Sequence, residues 1–266
     1  MAHVVRAGTG VRHRLIFELR YDRGELYWDR CGGIARTLAA KKGWAWQSID
    51  VNGAHIWNED QNLIFTYSPT KLDLAQSLSQ DVLELLLPGQ FAAIAEEFSE
   101  AVIQALEVDY FPRIGFRLCT MFGTDSVEDA SSRISHMSFF RPCGALADLG
   151  ELSHVSHAVV VARPKHMVRV AAMPFEQPVH LAPSVMAAAR AVPHRDPRDQ
   201  VKALIHKMRA EKAITAFPAV GMMIDLDAYI EDVPYPEQAS ARTFVEEAMV
   251  DFDVISGAIL AEGDQQ

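Results

Sequence analysis

FPAVGMMIDLDAYIED, Phe217–Asp232, is an apolar segment that carries two aspartates two residues apart. Strand periodicity puts Ala219, Gly221, Met223, Asp225 and Asp227 on one face, and Val220, Met222, Ile224 and Leu226 on the other. The second face is a core face. The first turns polar at its far end, so the fold must supply something for Asp225 and Asp227 to meet. A second segment, FPRIGFRLCTMF from Phe111 to Phe122, repeats the Phe-Pro-x-x-Gly opening. Its alternation places Arg113, Gly115 and Arg117 together on one face. If the two strands are neighbours, Arg117 can reach Asp225 or Asp227.

Each Phe-Pro-x-x-Gly strand follows a stretch with helical periodicity and, before that, antiparallel strand material. This suggests two copies of a strand–strand–helix–strand unit. The expected fold is therefore α+β: two related halves, 1–141 and 142–266, each a mainly antiparallel sheet with amphipathic helices packed on one face.

Outward from these strands, HRLIFELRY (13–21) alternates as a half-buried strand, and DRGE followed by LYW suggests a hairpin. GGIARTLAAKKG (32–43) suggests a short helix with Lys41 and Lys42 at its negative end. WAWQSI, AHIW and LIFTY form a meander, with Asn52-Gly53 at its first turn. Leu74, Leu78, Val82, Leu85 and Leu86 have helical spacing, and a second helix is expected from about Phe91 to Leu106. The stretch from Gly123 to about Ser153 is punctuated by Gly, Ser and Pro and connects the halves. HAVVVARPKHMVRVAAM (157–173) gives two strands with a turn at Arg163–Lys165. RDPRDQVKALIHKMRAEKAI (195–214) is a well-capped helix with Asp196 at the cap and Pro197 in the first turn. The last helix contains Phe244, Ala248, Phe252, Ile255 and Ile259 on one face. Thr243 and Glu246 are spaced for a capping box.

Composition narrows the function classes. The 266 residues are 49% apolar, enough for a substantial core. The net charge is −10 and the isoelectric point about 5.4, a poor balance for a general nucleic-acid binder. Cys31, Cys119 and Cys143 form neither a disulfide framework nor a metal-binding pair, which fits a reducing compartment. The first residues lack a secretory apolar stretch, and no apolar run approaches the ~20 residues of a membrane helix. The expected location is cytoplasmic.

Arg113-Ile114-Gly115-Phe116-Arg117, the acidic-apolar-acidic strand end at Asp225-Leu226-Asp227, and the final helix EEAMVDFDVISGAIL together resemble a family. It is a sporadically distributed prokaryotic family of about this length, with no assigned reaction. The resemblance spans nearly the whole chain, through short motifs. It implies the order of elements and a patchy distribution of the kind seen for mobile or defence genes. This chain departs from the family pattern after the second arginine. Leu118 and Thr120 stand where an aromatic residue and an asparagine are expected, so a polar site on that strand is not carried over.

Several groups compete as functional sites. Asp225 and Asp227 can ligate a divalent cation, with Glu231 and Asp232 nearby in sequence, or they can pair with Arg113 and Arg117. Arg198, Lys202, His206 and Arg209 recur on one helical face and can track phosphates. His154, His157 and His166 are loosely clustered. Cys31, at an expected helix N-terminus, can have a lowered thiol pKa. Trp28, Trp44, Trp46 and Trp57 lie close in sequence and can stack on bases or fill a core. Gly8-Thr9-Gly10 is too short for a phosphate loop, and no Walker, GxGxxG, GxSxG or HExxH motif is present.

These features point first to a non-enzymatic interaction protein. It would be a component of a prokaryotic multi-protein assembly of defence or mobile-element type, working with a protein partner or as a homo-oligomer, without a cofactor and without a membrane. The alternatives are a metal-dependent phosphoryl-transfer enzyme centred on Asp225 and Asp227, and a nucleic-acid-binding module using the Arg198–Arg209 stripe.

Overall fold

The computed structural model describes residues 10–22, 24–50, 53–79, 82–137, 157–176, 218, 220–234 and 240–263. The expected helix at 195–214, with its basic stripe, lies outside these residues, as do Cys143 and His154. The strands are β1 (Val11–Arg20), β2 (Ala45–Ile49), β3 (Ala54–Asn58), β4 (Leu63–Tyr67), β5 (Lys71–Ser77), β6 (Tyr110–Gly123), β7 (His157–Ala162), β8 (Met167–Glu176) and β9 (Val220–Pro234). The helices are α1 (Gly24–Ala39), α2 (Pro88–Leu106), α3 (Val127–His136) and α4 (Ala241–Gly263).

The nine strands form one antiparallel sheet in the order β2-β3-β4-β5-β1-β6-β9-β8-β7. The α+β class holds, but the strands expected in two separate sheets run together into one. The join is β6 against β9, the two Phe-Pro-x-x-Gly strands, which pair from Tyr110↔Pro234 to Gly123↔Gly221.

One face of the sheet is a continuous apolar row. In register across the strands, Leu74 and Phe65 lie beside Phe17, which lies beside Phe116 and then Ala228, while Leu15, Leu118, Leu226 and Val170 make the next row. Helices cover this face. Phe91 of α2 and Phe252 of α4 both meet Phe116, with ring centroids 6.0 and 5.7 Å away. Phe98 of α2 lies 5.1 Å from Phe65 and 4.4 Å from Trp44. These aromatic contacts add to the burial energy that holds helices to sheet.

Two local expectations are corrected. The segment after β1 is no hairpin strand: β1 is already flanked by β5 and β6, and residues 24–39 form α1. Gly32 and Gly33 disfavour a helix locally, by about 1 kcal/mol each. Burial of Tyr27, Ile34, Ala35 and Leu38 on one helical face overrides that cost. Tyr27 and Tyr67 are in edge contact, and the Tyr67 hydroxyl donates to the Cys31 carbonyl. Burial pushes the Tyr27 hydroxyl up to about 12, so it stays protonated.

The second correction concerns residues 71–77, which form a strand rather than the start of a helix. Leu72 and Leu74 point inward with Gln76, which is almost fully buried. Its amide donates to the Gln61 carbonyl and accepts from the Leu86 N–H. A polar residue on the core face hid the period-2 pattern, while Leu74, Leu78 and Val82 mimicked a helical one. A third element, α3, lies in the expected connection between the halves. Ser126 caps it by accepting from the Asp129 N–H. The last helix is capped by Ser240, which accepts from the Thr243 N–H, rather than by a Thr243–Glu246 box. Glu246 instead pairs with Arg242.

The α4 helix is tied to the β7–β8 turn by Asp251, which accepts from Arg163 at 2.6 Å and lies 3.0 Å from His166 Nε2. The Arg163 hydrogen bond holds the Asp251 carboxyl below its ordinary 3.8. A depressed folded-state value stabilises the fold above the unfolded value, and that contribution fades as pH falls through the folded one. Asp251→Asn should therefore be less stable than wild type at neutral pH, with the difference shrinking below about pH 4. Chemical denaturation across pH 3–7 reads this, and a pH-independent difference would remove the carboxylate from the account.

The glycine of the second Phe-Pro-x-x-Gly motif has a packing reason. A Cβ on Gly221 would meet the Phe122 backbone carbonyl well inside van der Waals distance. Gly221→Ala should therefore lower the melting temperature and loosen the adjacent end of the β6–β9 ladder. Hydrogen exchange of the Phe122 and Gly123 amides checks this, and unchanged protection would contradict it.

Candidate functional site: a charged groove across β5, β1, β6 and β9

The other sheet face carries the charges. β5 contributes Lys71 and Asp73, and β1 contributes Arg14, Glu18 and Arg20. β6 contributes Arg113 and Arg117, β9 contributes Asp225 and Asp227, and β8 adds Arg169. Strand pairing alone brings them together, because alternate residues of neighbouring strands line one face.

The four residues singled out from the sequence meet as two ion pairs. Arg117 grips Asp225 with a fork: Nε and a terminal nitrogen each lie 2.5 Å from one carboxylate oxygen. Arg113 donates to Asp227 at 2.7 Å. Both arginines lean past their direct cross-strand partners. Arg117 sits opposite Asp227 and reaches diagonally to Asp225, while Arg113 sits opposite Glu231 and reaches Asp227. Asp225 is a diagonal neighbour, two residues along and within range of a long side chain, whereas Asp227 lies four residues from Glu231 and Arg113 must extend along the strand to reach it. Arg113 manages this by lying over Gly115, where a Cβ would come within 3.4 Å of its Nε, and by stacking 4.6 Å from the Tyr229 ring.

Burial differs sharply within the pairs. Asp225 is 0% exposed, whereas the Arg117 side chain is 41% exposed. Cys119 Sγ lies 3.6 Å from Asp225 Oδ1, and an Arg169 nitrogen lies 3.8 Å from Oδ2. The buried carboxylate is thus surrounded by donors. Its hydrogen bond raises the Arg117 guanidinium further above its ordinary value. Burial, with the Asp225 charge next, pushes the Cys119 thiol up to about 12, so this sulfur stays protonated and is a poor nucleophile.

Beside these pairs a groove of about 300 Å³ opens over Arg14, Ile16, Glu18, Arg20, Lys71, Asp73, Ala75, Arg113, Gly115, Arg117 and Asp227. Glu18 accepts from Arg20, and Asp73 lies 3.2 Å from Lys71. Burial raises the Asp73 carboxyl above its ordinary value, with Lys71 opposing it. Arg14 has no ion-pair partner among the described residues. Sequence reading found the β6 and β9 members of this site and missed those on β1 and β5. Arg14, Glu18 and Arg20 had registered only as the polar side of an alternating strand. Asp73 was hidden by the helical reading of its segment.

The remaining candidates fall elsewhere. Cys31 lies in the middle of α1 rather than at a helix N-terminus, because the helix begins at Gly24. Trp44 packs on Phe98, Trp57 is half-buried on β3, and Trp28 and Trp46 are exposed on separate elements. His157 lies on β7, while His166 is buried beside Asp251. Among the described residues no group of three or more His, Cys, Asp or Glu is placed to hold a metal ion. No described helix is long and apolar enough to cross a membrane.

The asymmetry of burial makes an asymmetric prediction. Arg117→Ala strands a fully buried carboxylate and should cost about 3 kcal/mol, the low end for breaking a buried pair because the arginine is partly solvated. That is a melting-temperature drop of roughly 6–10 °C for a chain of this size. Asp225→Ala leaves an arginine that can turn to water and should cost less. The double variant should fall short of the sum of the singles. Thermal melts of all three check this, and additive effects would mean the pair is energetically inert.

Compared with known proteins, the chain matches no family model and no curated protein.

Proposed function

We propose that the protein is a non-enzymatic interaction protein whose charged sheet face receives a partner. The observation that carries this is the fork between Arg117 and Asp225. The carboxylate most suited to metal-assisted chemistry has both oxygens occupied by a guanidinium, and Asp227 is engaged by Arg113. Divalent-cation sites need carboxylate oxygens free to ligate. The nearest sulfur, Cys119, is held as a thiol. Most of the charged groups lining the groove are engaged in ion pairs, which supports a binding role.

Membership of a prokaryotic assembly of defence or mobile-element type rests on the family resemblance. The two-halves architecture belongs to the same proposal. It draws support from the adjacency of the two Phe-Pro-x-x-Gly strands, each followed by a helix, α3 after β6 and α4 after β9.

The full-length chain, incubated with Mg²⁺ or Mn²⁺ and aryl phosphate mono- and diesters, should show no turnover. Neither ion should raise its melting temperature. Metal-dependent hydrolysis that disappears in Asp225→Asn would replace this reading with phosphoryl transfer.

A further inference from the structure

We propose that the groove over β5, β1, β6 and β9 is a binding site for a small phosphate-bearing molecule. The proposal rests on the binding-protein reading above and assigns its ligand class.

Charge is the first argument. Lining the groove itself, Arg14, Arg20, Lys71, Arg113 and Arg117 stand against Glu18, Asp73 and Asp227. The patch keeps a cationic surplus in a chain whose net charge is −10. A positive patch of this kind concentrates anions locally. The same contrast limits ligand size. A small anion stays within the patch, whereas a long polyanion overruns onto acidic surface.

Donor geometry is the second. The Asp225 carboxylate holds Arg117 through Nε and one terminal nitrogen, leaving the other terminal nitrogen without a partner among the described residues. Asp227 likewise takes a single terminal nitrogen of Arg113, leaving the other terminal nitrogen without a partner among the described residues. Each guanidinium is thus fixed by a carboxylate and still has N–H groups to give. Side chains locked in this way bind with less loss of rotamer freedom. Planar guanidinium donors suit phosphate oxygens. Arg14, with no ion-pair partner among the described residues, adds a further positive charge to the groove lining.

Shape is the third. At about 300 Å³ the groove lies at the small end of ligand sites, and Gly115, under the Arg113 side chain, is among its lining residues. Glu18 and Asp73 on the β1–β5 side can accept hydrogen bonds from hydroxyl or amino groups of the same ligand.

The test is calorimetric titration of the full chain with inorganic pyrophosphate, with citrate, and with a single-stranded oligonucleotide longer than the groove, at low and physiological salt. Pyrophosphate should bind, more weakly at higher salt. Arg14→Ala should weaken binding about tenfold, the loss of one charge-assisted contact, without lowering the melting temperature. Arg36→Ala, on the exposed side of α1, removes the same charge and should leave binding unchanged. Absence of pyrophosphate binding overturns the proposal, as does equal weakening by Arg14→Ala and Arg36→Ala. Citrate binding as tightly as pyrophosphate overturns the phosphate assignment, and tighter binding of the oligonucleotide overturns the small-ligand assignment. Pyrophosphate that binds and is hydrolysed would leave the groove standing and remove the non-enzymatic reading. Neither binding nor hydrolysis would do the reverse.

Discussion

The buried Asp225 carboxylate is the constraint on which the polar half of this molecule depends. A charge taken wholly out of water is costly unless donors surround it. Here the donors come from the strands on either side: Arg117 and Cys119 on β6, and Arg169 on β8. That requirement fixes which strands must be neighbours and in what register. A one-residue slip of β9 against β6 would send Asp225 into the aromatic core face and Leu226 onto the charged face. The ion pair and the apolar rows therefore specify the same register from opposite faces of the sheet.

That register also joins the two ends of the sheet. β6 and β9 are central strands, and each must satisfy a neighbour on both sides. Gly221 permits close approach at one end of their ladder, and Gly115 lets Arg113 lie flat across it. The glycine of the second Phe-Pro-x-x-Gly motif thus has a physical content: a Cβ on Gly221 would collide with the Phe122 backbone, whereas one on Gly115 would only touch Arg113. The arginines that stabilise the ladder also line the groove, so the groups holding the strands together form the wall of the candidate binding site. Rigidity there follows from the fold.

Much of the fold was legible where periodicity and burial agreed. β1, β6, the β2–β4 meander, the β7–β8 hairpin, α2 and α4 follow from alternation or from helical apolar stripes. The failures have specific causes. The hairpin reading of DRGE and LYW concealed the first half of α1, whose second half was expected as a helix; its stability comes from packing Tyr27, Ile34 and Leu38 rather than from propensity. Gln76 concealed β5, because its buried amide is tolerated only through partners on Gln61 and Leu86. The site was half visible: acids and arginines on two echoing strands suggested a pairing, but nothing local connected them to β1 and β5.

The sequence by itself determined the alternation that sends Arg113, Arg117, Asp225 and Asp227 to one face of their strands, since side-chain direction along a strand is a local property. It also determined the α+β class and the acidic balance against which a basic groove stands out. Only the tertiary structure decided that β6 lies beside β9, that Arg117 takes Asp225 while Arg113 takes Asp227, and that Arg14, Glu18, Lys71 and Asp73 complete the same groove. Strand order is set by which apolar faces pack under shared helices, a long-range competition that no short window of sequence contains.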